Sequence, residues 1–270
     1  MKIGILTSGN DMLALFSFLQ RYDHEYHVWY DDTFLFWGDK PVELVMERVT
    51  QGIRFLQEKG VDTILVPPII ELKIRNEKLF PGVTFLPLFE SYVKENCFTY
   101  SLVGKLGFFG DLFDLEEGQK QLTILAKDYV LSDHQREIKK FHVPFAWRGR
   151  EVRNWKYLLD TCSWSMPLLH HMVKQDLRYF KDAKVDTIIP CNYSYFLVQK
   201  AIEKARYTNM RFYGLSILEN IFTKIVETKQ NGIYSVNVYH TGHGKFLSRE
   251  KKLQRMLSRG NTINVAYNAL

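Results

Sequence analysis

The chain has 270 residues, of which 46% are hydrophobic and 24% charged, a composition typical of a folded globular protein rather than a disordered or fibrous one. No run of about 18 or more apolar residues is present, so the sequence predicts no membrane-spanning helix. The 36 Lys and Arg residues exceed the 30 Asp and Glu residues by six, but they are scattered, so we expect neither a nucleic-acid nor a membrane partner.

The amino-terminal segment and the cysteines indicate a cytoplasmic protein. The opening segment Met1–Asp11 has too few apolar residues for a secretory signal and is typical of a short buried strand and its turn. Three cysteines, Cys97, Cys162 and Cys191, are an odd number without close spacing. They favour neither a disulfide framework nor a zinc site, and we predict no metal.

Short apolar runs alternate with amphipathic stretches along the chain, which predicts an α/β fold with mainly parallel sheets. A helix is predicted over Val42–Lys59, where apolar residues recur at spacings near 3.6 and Gly60 follows, and another over Trp164–Tyr179. The dense basic segment Arg249–Arg255 is typical of a solvated helix face. The predicted strands are Lys2–Leu6, Tyr26–Tyr30, Thr63–Val66, Val83–Leu86, Leu106–Phe109, Thr187–Ile189, Arg211–Gly214 and Ser235–Tyr239.

Two internal echoes predict that the fold is duplicated. Val-Asp-Thr-Ile occurs at Val61–Ile64 and again at Val185–Ile188, and the Lys-apolar-Gly start of Lys2–Gly9 recurs at Lys105–Asp111. Because the order of both echoes is kept, we predict two similar parallel-sheet α/β lobes related by pseudo-twofold symmetry. The first lobe is expected to contain residues 1–97 and 208–270, the second residues 98–207, with the active-site cleft between them.

Ligands of open parallel sheets bind at the carboxyl ends of the strands. Cys191 stands at such a position, between a predicted strand and a predicted helix, where the positive end of the helix favours a thiolate. The alternative is a buried structural thiol, which is what we expect of Cys97 and Cys162.

Two further strand-end loops carry candidate contacts. Ser8 and Gly9 follow the first strand and can present a hydroxyl and backbone N–H groups to a carboxylate, or simply begin a helix. Trp37 and Gly38 lie in a polar and aromatic loop, where the indole either forms a wall for a ligand or packs beneath the loop. Asp111 follows the Gly turn of the second lobe and faces the place of Ser8.

These segments together resemble the aspartate/glutamate racemase superfamily, and glutamate racemase more than its other members. Lys2–Asp11 resembles the opening strand and Asp-Ser-Gly loop of that family, and Asp31–Glu43 its Asp-Thr and Pro-Tyr-Gly segments. Lys59–Ile69 and Val185–Tyr195 occupy the places of its two cysteine-containing strand ends. Further matches at Gly104–Asp111, Leu215–Glu227 and Val236–Phe246 extend the resemblance over the whole chain.

The resemblance implies two lobes, no cofactor, a small amino acid or carboxylate as ligand and, because family members commonly dimerise, a homodimer. It also implies two cysteines that exchange protons with opposite faces of the substrate. Pro68 stands where the first of these is expected, so a two-thiol mechanism is not available, whereas Cys191 occupies the place of the second. Ile69 and Ile70 replace the flanking polar residues, and Asn192 and Tyr193 replace the Thr and His that follow the second cysteine.

We therefore expect cofactor-independent proton transfer at the carbon α to a carboxylate, with Cys191 as the acid/base. Ser8, Gly9, Gly38, Asp111 and Asn192 are expected to contact the ligand. Trp37, Ile69 and Tyr193 are expected to wall the pocket, and the phenol of Tyr193 is alternatively a replacement proton donor. Two other readings stay open, a single-cysteine decarboxylase or isomerase of the arylmalonate decarboxylase type and a catalytically inactive ligand-binding homologue.

Basic side chains outside these loops are interpreted as surface residues. Arg148 and Arg150 are expected on an exposed loop, although they can anchor a carboxylate. His170 and His171 are adjacent on a predicted helix and point in different directions, so no joint role is expected. The His240–Gly244 segment is typical of a surface turn.

Overall fold

The computed structural model describes residues 1–34, 37–129, 145–160, 167–226, 234–242, 251, 255 and 263–270. Its strands are β1 (Lys2–Thr7), β2 (Glu25–Tyr30), β3 (Thr63–Leu65), β4 (Thr84–Phe85), β5 (Lys105–Gly110), β6 (Ala146–Glu151), β7 (Thr187–Pro190), β8 (Tyr234–His240) and β9 (Ile263–Ala269). The α-helices are α1 (Asp11–Leu19), α2 (Val42–Glu58), α3 (Pro68–Asn76), α4 (Leu88–Tyr92), α5 (Leu112–Lys127), α6 (Arg153–Asp160), α7 (Pro167–Asp182), α8 (Gln199–Ala205) and α9 (Leu215–Ile225).

Two parallel sheets, one in each lobe, form the framework. In the described part of the chain the first has the order β4-β3-β1-β2-β8-β9 and the second the order β6-β5-β7, and neighbouring strands run parallel throughout. The helices between successive strands are the crossovers that parallel pairing requires. The predicted α/β class with two lobes is confirmed, whereas the residue limits given for the lobes stay a prediction.

The repeat is visible in the pairing register. In each lobe the first strand lies in the middle, with the second strand on one side and the third on the other, giving β2-β1-β3 and β6-β5-β7. Gly4 of β1 pairs with Ile64 of β3, and Gly107 of β5 pairs with Ile188 of β7. The two sequence echoes therefore occupy equivalent positions in the two sheets.

The turn that enters the third strand of each lobe is also repeated. In the first lobe Val61 N donates to Leu56 O at 3.1 Å, and in the second Val185 N donates to Phe180 O at 2.9 Å. This pattern closes the carboxyl end of a helix and requires one residue with positive φ. Gly60 supplies it in the first lobe with φ of 72°, and Lys184 in the second with φ of 56°.

Seven predicted strands correspond to β1, β2, β3, β4, β5, β7 and β8, and the helix predicted from Val42 ends at Glu58. The strand predicted at Arg211–Gly214 is wrong, because this segment forms only one bridge, between Arg211 and Thr187. The chain then turns into α9, where Gln199 Oε1 accepts a hydrogen bond from Leu215 N at 2.9 Å.

Two strands, β6 and β9, were missed. β6 is an edge strand whose residues are exposed or half-buried, and its alternating Arg and Gly residues give no apolar pattern. Of the helix predicted at 164–179, the described part begins at Pro167 and continues to Asp182. Only Lys251 and Arg255 of the basic segment predicted to be helical are described, and both are helical.

Helix α1 places the first strand-end loop at the centre of the molecule. Eight of its nine residues are buried, so it is enclosed rather than amphipathic. Phe16 packs edge-on to Tyr26 of β2 with ring centres 5.4 Å apart, and Phe18 lies 5.9 Å from Phe222 of α9. None of the described helices is long and apolar enough to span a bilayer.

Candidate functional site

The carboxyl ends of β1, β3, β5 and β7 meet where the two lobes face each other. Ser194, just beyond β7, donates its backbone N–H to Asp11 Oδ1 at the start of α1 over 2.9 Å. Ile69 of α3 and Cys191 both reach the same point on α5 at Gly118. The strand-end segments of the two lobes therefore meet, through one hydrogen bond and through a shared position on α5.

Cys191 lies immediately after β7 and is almost completely buried, with 1% of its surface exposed. Its backbone N–H donates to Phe109 O at 2.9 Å, which continues the sheet by one residue. A Cβ placed on Gly118 would lie 3.8 Å from Cys191 Sγ and 3.3 Å from Ile69 Cδ1. The thiol and an apolar side chain from the other lobe therefore border the same small space.

The electrostatic surroundings of Cys191 differ from the sequence expectation of a thiolate. Burial, followed by the negative charges of Asp114 and Asp111, raises the pKa of the thiol well above its usual value. The segment after Cys191 is a short 3₁₀ helix, Tyr193–Val198, rather than the α-helix on which that expectation depended. At neutral pH the group is a neutral thiol, which is the proton-donating form.

Asp111 and Asp114 form a buried acidic pair at the start of α5. Asp111 caps the helix, and its backbone N–H donates to Asp114 Oδ2 at 3.3 Å, completing a capping box. Burial and the neighbouring Asp111 raise the pKa of Asp114 well above its usual value, while Lys156 opposes the shift. Burial therefore favours the protonated form of the Asp114 carboxyl.

Asp111 is also a point at which the first lobe contacts the start of α5. A Cβ on Gly38 would lie 1.7 Å from Asp111 Oδ2, so only glycine fits against this carboxylate. Asp111 Oδ1 is buried and has no hydrogen-bond partner among the described residues. A cavity of about 120 Å³ next to it is lined by Asp39, Asp111, Arg153, Lys156 and Tyr157.

Glu71 and Tyr193 are a second pair of buried titratable groups. Glu71 is fully buried and accepts hydrogen bonds from the backbone N–H groups of Phe89 at 2.9 Å and Glu90 at 2.8 Å. Burial raises its pKa to about 8. Burial, with contributions from Glu71 and Asp11, raises the pKa of Tyr193 well above its usual value, so its phenol stays protonated.

In each of two predicted ligand contacts, one polar side-chain atom already has a protein partner. Asn192 Oδ1 accepts from Ser194 N at 3.0 Å and caps the 3₁₀ helix. Trp37 is buried, and its Nε1 donates to Asp31 Oδ2 at 3.1 Å. Ser8 is 7% exposed, and Gly9 N donates to Thr7 Oγ1 at 3.4 Å, so both stay close to the end of β1.

Asp31 organises the loop that carries Trp37 and Gly38. Arg48 donates to both of its carboxylate oxygens, from Nε and Nη2, at 2.8 Å each, and Thr241 Oγ1 donates at 2.9 Å. Burial alone would raise the pKa of Asp31, but the hydrogen bonds from Arg48 and Trp37 lower it. Thr241, expected in a surface turn, is thus part of the support for this loop.

Other candidates lie away from this cluster. Arg150 belongs to β6 rather than to a loop, and it pairs with Asp176 at 2.7 Å. Its neighbour Arg148, also in β6, donates to Trp147 O. Cys97 is buried, and burial raises its pKa, whereas Cys162 lies outside the described residues. No group of three or more His, Cys, Asp or Glu side chains within the described ranges is arranged to hold a metal ion.

Sequence reasoning missed Asp114 and Glu71. The signal for Asp114 is the Asp-x-x-Asp spacing directly after a buried strand, which is a capping-box pattern. The signal for Glu71 is weaker, a carboxylate in the first turn of a helix that begins Pro-Ile-Ile. Its complete burial depends on α4, which no local pattern connects to α3.

The fold is similar to that of glutamate racemases of known structure. RacE1 from Bacillus anthracis superposes with a TM-score of 0.77 at 15% identity, covering 99% of this chain and 96% of that one. The Thermus thermophilus enzyme in complex with β-chloro-D-alanine superposes with a TM-score of 0.72 at 18% identity, covering 100% of this chain and 97% of that one. The Francisella tularensis enzyme in complex with D-glutamate superposes with a TM-score of 0.71 at 14% identity, covering 100% of this chain and 97% of that one.

The sequence itself matches no family model and no curated protein. At these identities the structural similarity shows a common two-lobed fold.

Proposed function

We propose that this protein catalyses cofactor-independent proton transfer at the carbon α to a carboxylate of an amino acid or small carboxylic acid. The observation that carries the proposal is the neutral, buried Cys191 thiol at the end of β7, which faces Ile69 of the other lobe beside Gly118. The fold shared with glutamate racemases, two of them in complex with D-glutamate or β-chloro-D-alanine, supports this substrate class.

The proposal includes protonation of one face of the substrate. Pro67 and Pro68 stand together just beyond β3, where the resemblance places the first cysteine of the family; the strand register matches Pro67 to Cys191, and Pro68 is the first residue of α3. It is followed by Ile69 and Ile70, both buried. None of these side chains can accept or donate a proton, so Cys191 acts on its own face. After the thiol has released its proton to water, the thiolate takes the α-proton, exchanges it with solvent and returns a proton to the same face, so exchange at the α-carbon proceeds with retention of configuration.

A second candidate is a single-cysteine decarboxylase, which the neutral state of Cys191 favours. In that reaction the bond between the α-carbon and one carboxylate breaks, carbon dioxide leaves, and the electron pair stays on the carbon as an enediolate. The Cys191 S–H then donates its proton to that carbon, and the resulting thiolate recovers a proton from water. The apolar Ile69 favours loss of the charged carboxylate.

Proton NMR in deuterated water tests the first candidate. Separate D- and L-amino acids are incubated with the wild type, with Cys191→Ala and with Cys97→Ala, a matched change at the other described buried thiol. We expect loss of the α-proton signal with the wild type and Cys97→Ala only, and chiral analysis is expected to show retention.

A screen of disubstituted malonates for carbon dioxide release tests the second candidate. Release that depends on Cys191 would assign the decarboxylase. Ligand binding without exchange or release, unchanged in Cys191→Ala, would contradict both reactions and identify a catalytically inactive binding protein.

The proposal also gives the setting in which the reaction takes place. The ligand is a small molecule, the protein acts in the cytoplasm, and no cofactor or metal is needed because a thiol alone carries the proton. A homodimer is proposed on the resemblance, and sedimentation velocity across a concentration series measures it.

A further inference from the structure

A groove of about 380 Å³ lies between α7 and α8 of the second lobe. It shares no residue with the cluster around Cys191. Its lining residues are His170, His171, Lys174, Ala201, Lys204, Ala205, Arg206 and Tyr207. Adjacent residues on a helix are expected to point in different directions, but the imidazoles of His170 and His171 both border this groove.

The groove has an excess of positive charge. Lys174, Lys204 and Arg206 are exposed, and within the described ranges none of them has a carboxylate at ion-pair distance. Arg206 uses Nη1 to donate to Met210 O at 2.8 Å, which fixes the guanidinium at the edge of the groove. Lys181 lies 4.3 Å from the centre of the Tyr207 ring and adds a further cation.

The carboxylates on the same two helices do not neutralise these cations. Asp176 pairs with Arg150 at 2.7 Å and accepts from Trp155 Nε1 at 2.8 Å. Asp182 lies 4.0 Å from Arg178. Glu203 is near the start of α9, with Oε1 3.5 Å from a Cβ placed on Gly214. The charge in the groove is therefore available to a ligand.

The shape and the donors together indicate the chemistry of that ligand. A phosphate offers several oxygens and can accept hydrogen bonds from two lysines and an arginine at once, whereas a carboxylate offers two. The volume lies within the range of small-molecule sites and exceeds what a bare phosphate needs. Tyr207, Ala201 and Ala205 supply an apolar wall for an organic part.

We propose that the groove between α7 and α8 binds a phosphorylated small molecule. This site is separate from the proposed catalytic cleft and does not depend on the proposed reaction. Lys174, Lys204 and Arg206 hold the phosphate, and Tyr207 contacts the organic part.

Isothermal titration calorimetry with glucose 6-phosphate and with inorganic pyrophosphate tests the proposal. Glucose and citrate serve as the uncharged and the non-phosphate anionic controls. We expect binding of both phosphate probes, weakened at least tenfold in Lys174→Gln/Lys204→Gln. The matched variant Lys2→Gln/Lys127→Gln removes two exposed lysines elsewhere, and its affinity is expected to stay within twofold of the wild type.

Several results would overturn the proposal. Equal affinity for citrate, or an equal loss in both double variants, would show a response to overall charge rather than a phosphate site. Absence of binding by either phosphate probe would also overturn it. Tight binding of a single-stranded oligonucleotide without binding of glucose 6-phosphate would assign the groove to nucleic acid instead. The single variants Lys174→Gln and Lys204→Gln, each expected to weaken binding severalfold, provide the same comparison if the double variant is poorly folded.

Discussion

The Asp111 carboxylate lies directly against Gly38, and a Cβ on residue 38 would be 1.7 Å from Oδ2 and 2.3 Å from Oδ1 of Asp111. Gly38 belongs to the 3₁₀ turn Trp37–Asp39, whereas Asp111 caps α5 in the second lobe. One glycine therefore sets how closely the loop of the first lobe approaches the acidic pair beside Cys191.

We expect Gly38→Ala to lower the free energy of unfolding by roughly 1–3 kcal/mol, the usual cost of overpacking, because the loop or Asp111 must move. Urea denaturation measures the change. Asp111→Ser keeps a helix-capping side chain but removes the carboxylate. In the Asp111→Ser background, Gly38→Ala should lower the free energy of unfolding by clearly less. The same decrease in both backgrounds would show that the two residues do not interact.

The thiol of Cys191 should become more reactive when the nearby negative charge is removed. Asp111→Asn keeps the size and the capping ability of the side chain, and it lowers the pKa of Cys191 towards its ordinary value. We expect alkylation by iodoacetamide at pH 8 to become roughly three to ten times faster, since the thiolate is the reactive form. The rate is measured with Cys97 and Cys162 replaced.

Glu116→Gln removes an exposed carboxylate from the same helix and is the control for that experiment. Its alkylation rate should equal that of the parent protein. An unchanged rate in Asp111→Asn would mean that the acidic pair does not act on the thiol.

The buried carboxyl of Glu71 should make stability depend on pH. Burial raises its pKa from 4.5 to about 8 in the folded chain, so between these values the folded state holds a proton that the unfolded state has lost. The contribution of Glu71 to the free energy of unfolding therefore falls as the pH rises from 4.5 to 8 and is constant above that.

Glu71→Gln should flatten this part of the profile, measured by urea denaturation from pH 5 to pH 8.5. Glu116→Gln, on an exposed position, should leave the profile unchanged. The same slope in Glu71→Gln as in the wild type would locate the titration elsewhere.

The ion pair between Asp31 and Arg48 should make the free energy of unfolding depend on pH in the direction opposite to that of Glu71. The pKa of Asp31 is lowered in the folded chain, so the stability due to this pair is present above the unfolded pKa of about 4 and is lost as the pH falls through the folded value. Asp31→Asn leaves Arg48 without its charged partner and should cost about 2–4 kcal/mol at pH 7. Asp182→Asn, which removes the exposed partner of Arg178, should cost less than about 0.5 kcal/mol.

Lys184 occupies a backbone conformation that favours glycine. Its φ of 56° matches the role of Gly60 in the first lobe, and its side chain is exposed. We expect Lys184→Gly to raise the melting temperature, with a gain of about 0.5–1 kcal/mol from relief of left-handed strain. Gly60→Ala should lower stability by about the same amount, and a loss in Lys184→Gly would contradict the assignment of strain at this turn.

Most of the framework could be predicted from the residues, because buried parallel strands and an amphipathic helix leave local patterns. The strand Thr187–Ile189 and the helix beginning at Val42 are examples, and their ends differ from the structure by a residue. The edge strand β6 leaves no such pattern, since its side chains are exposed. The segment from Arg211 has an apolar and aromatic composition but forms only one bridge before α9 begins.

The site was less predictable than the fold, for a physical reason. Position at a strand end can be inferred from order along the chain, and this brought Cys191, Asp111 and Ile69 into consideration. The ionisation of those groups depends on burial by segments distant in sequence. Glu71 accepts from Phe89 and Glu90, and the Cys191 thiol responds to Asp114, and neither relation has a local sequence signal.

The common pairing register of the two sheets also shows that matched strand-end positions carry different side chains in the two lobes. Counting three residues from the paired Ile64 and Ile188 leads to Pro67 in one lobe and Cys191 in the other. Counting four from Gly4 and Gly107 leads to Ser8 and Asp111. At both matched positions the titratable group belongs to the second lobe. At these two positions the duplicated framework therefore presents a proline and a hydroxyl from the first lobe, and a thiol and a carboxyl from the second.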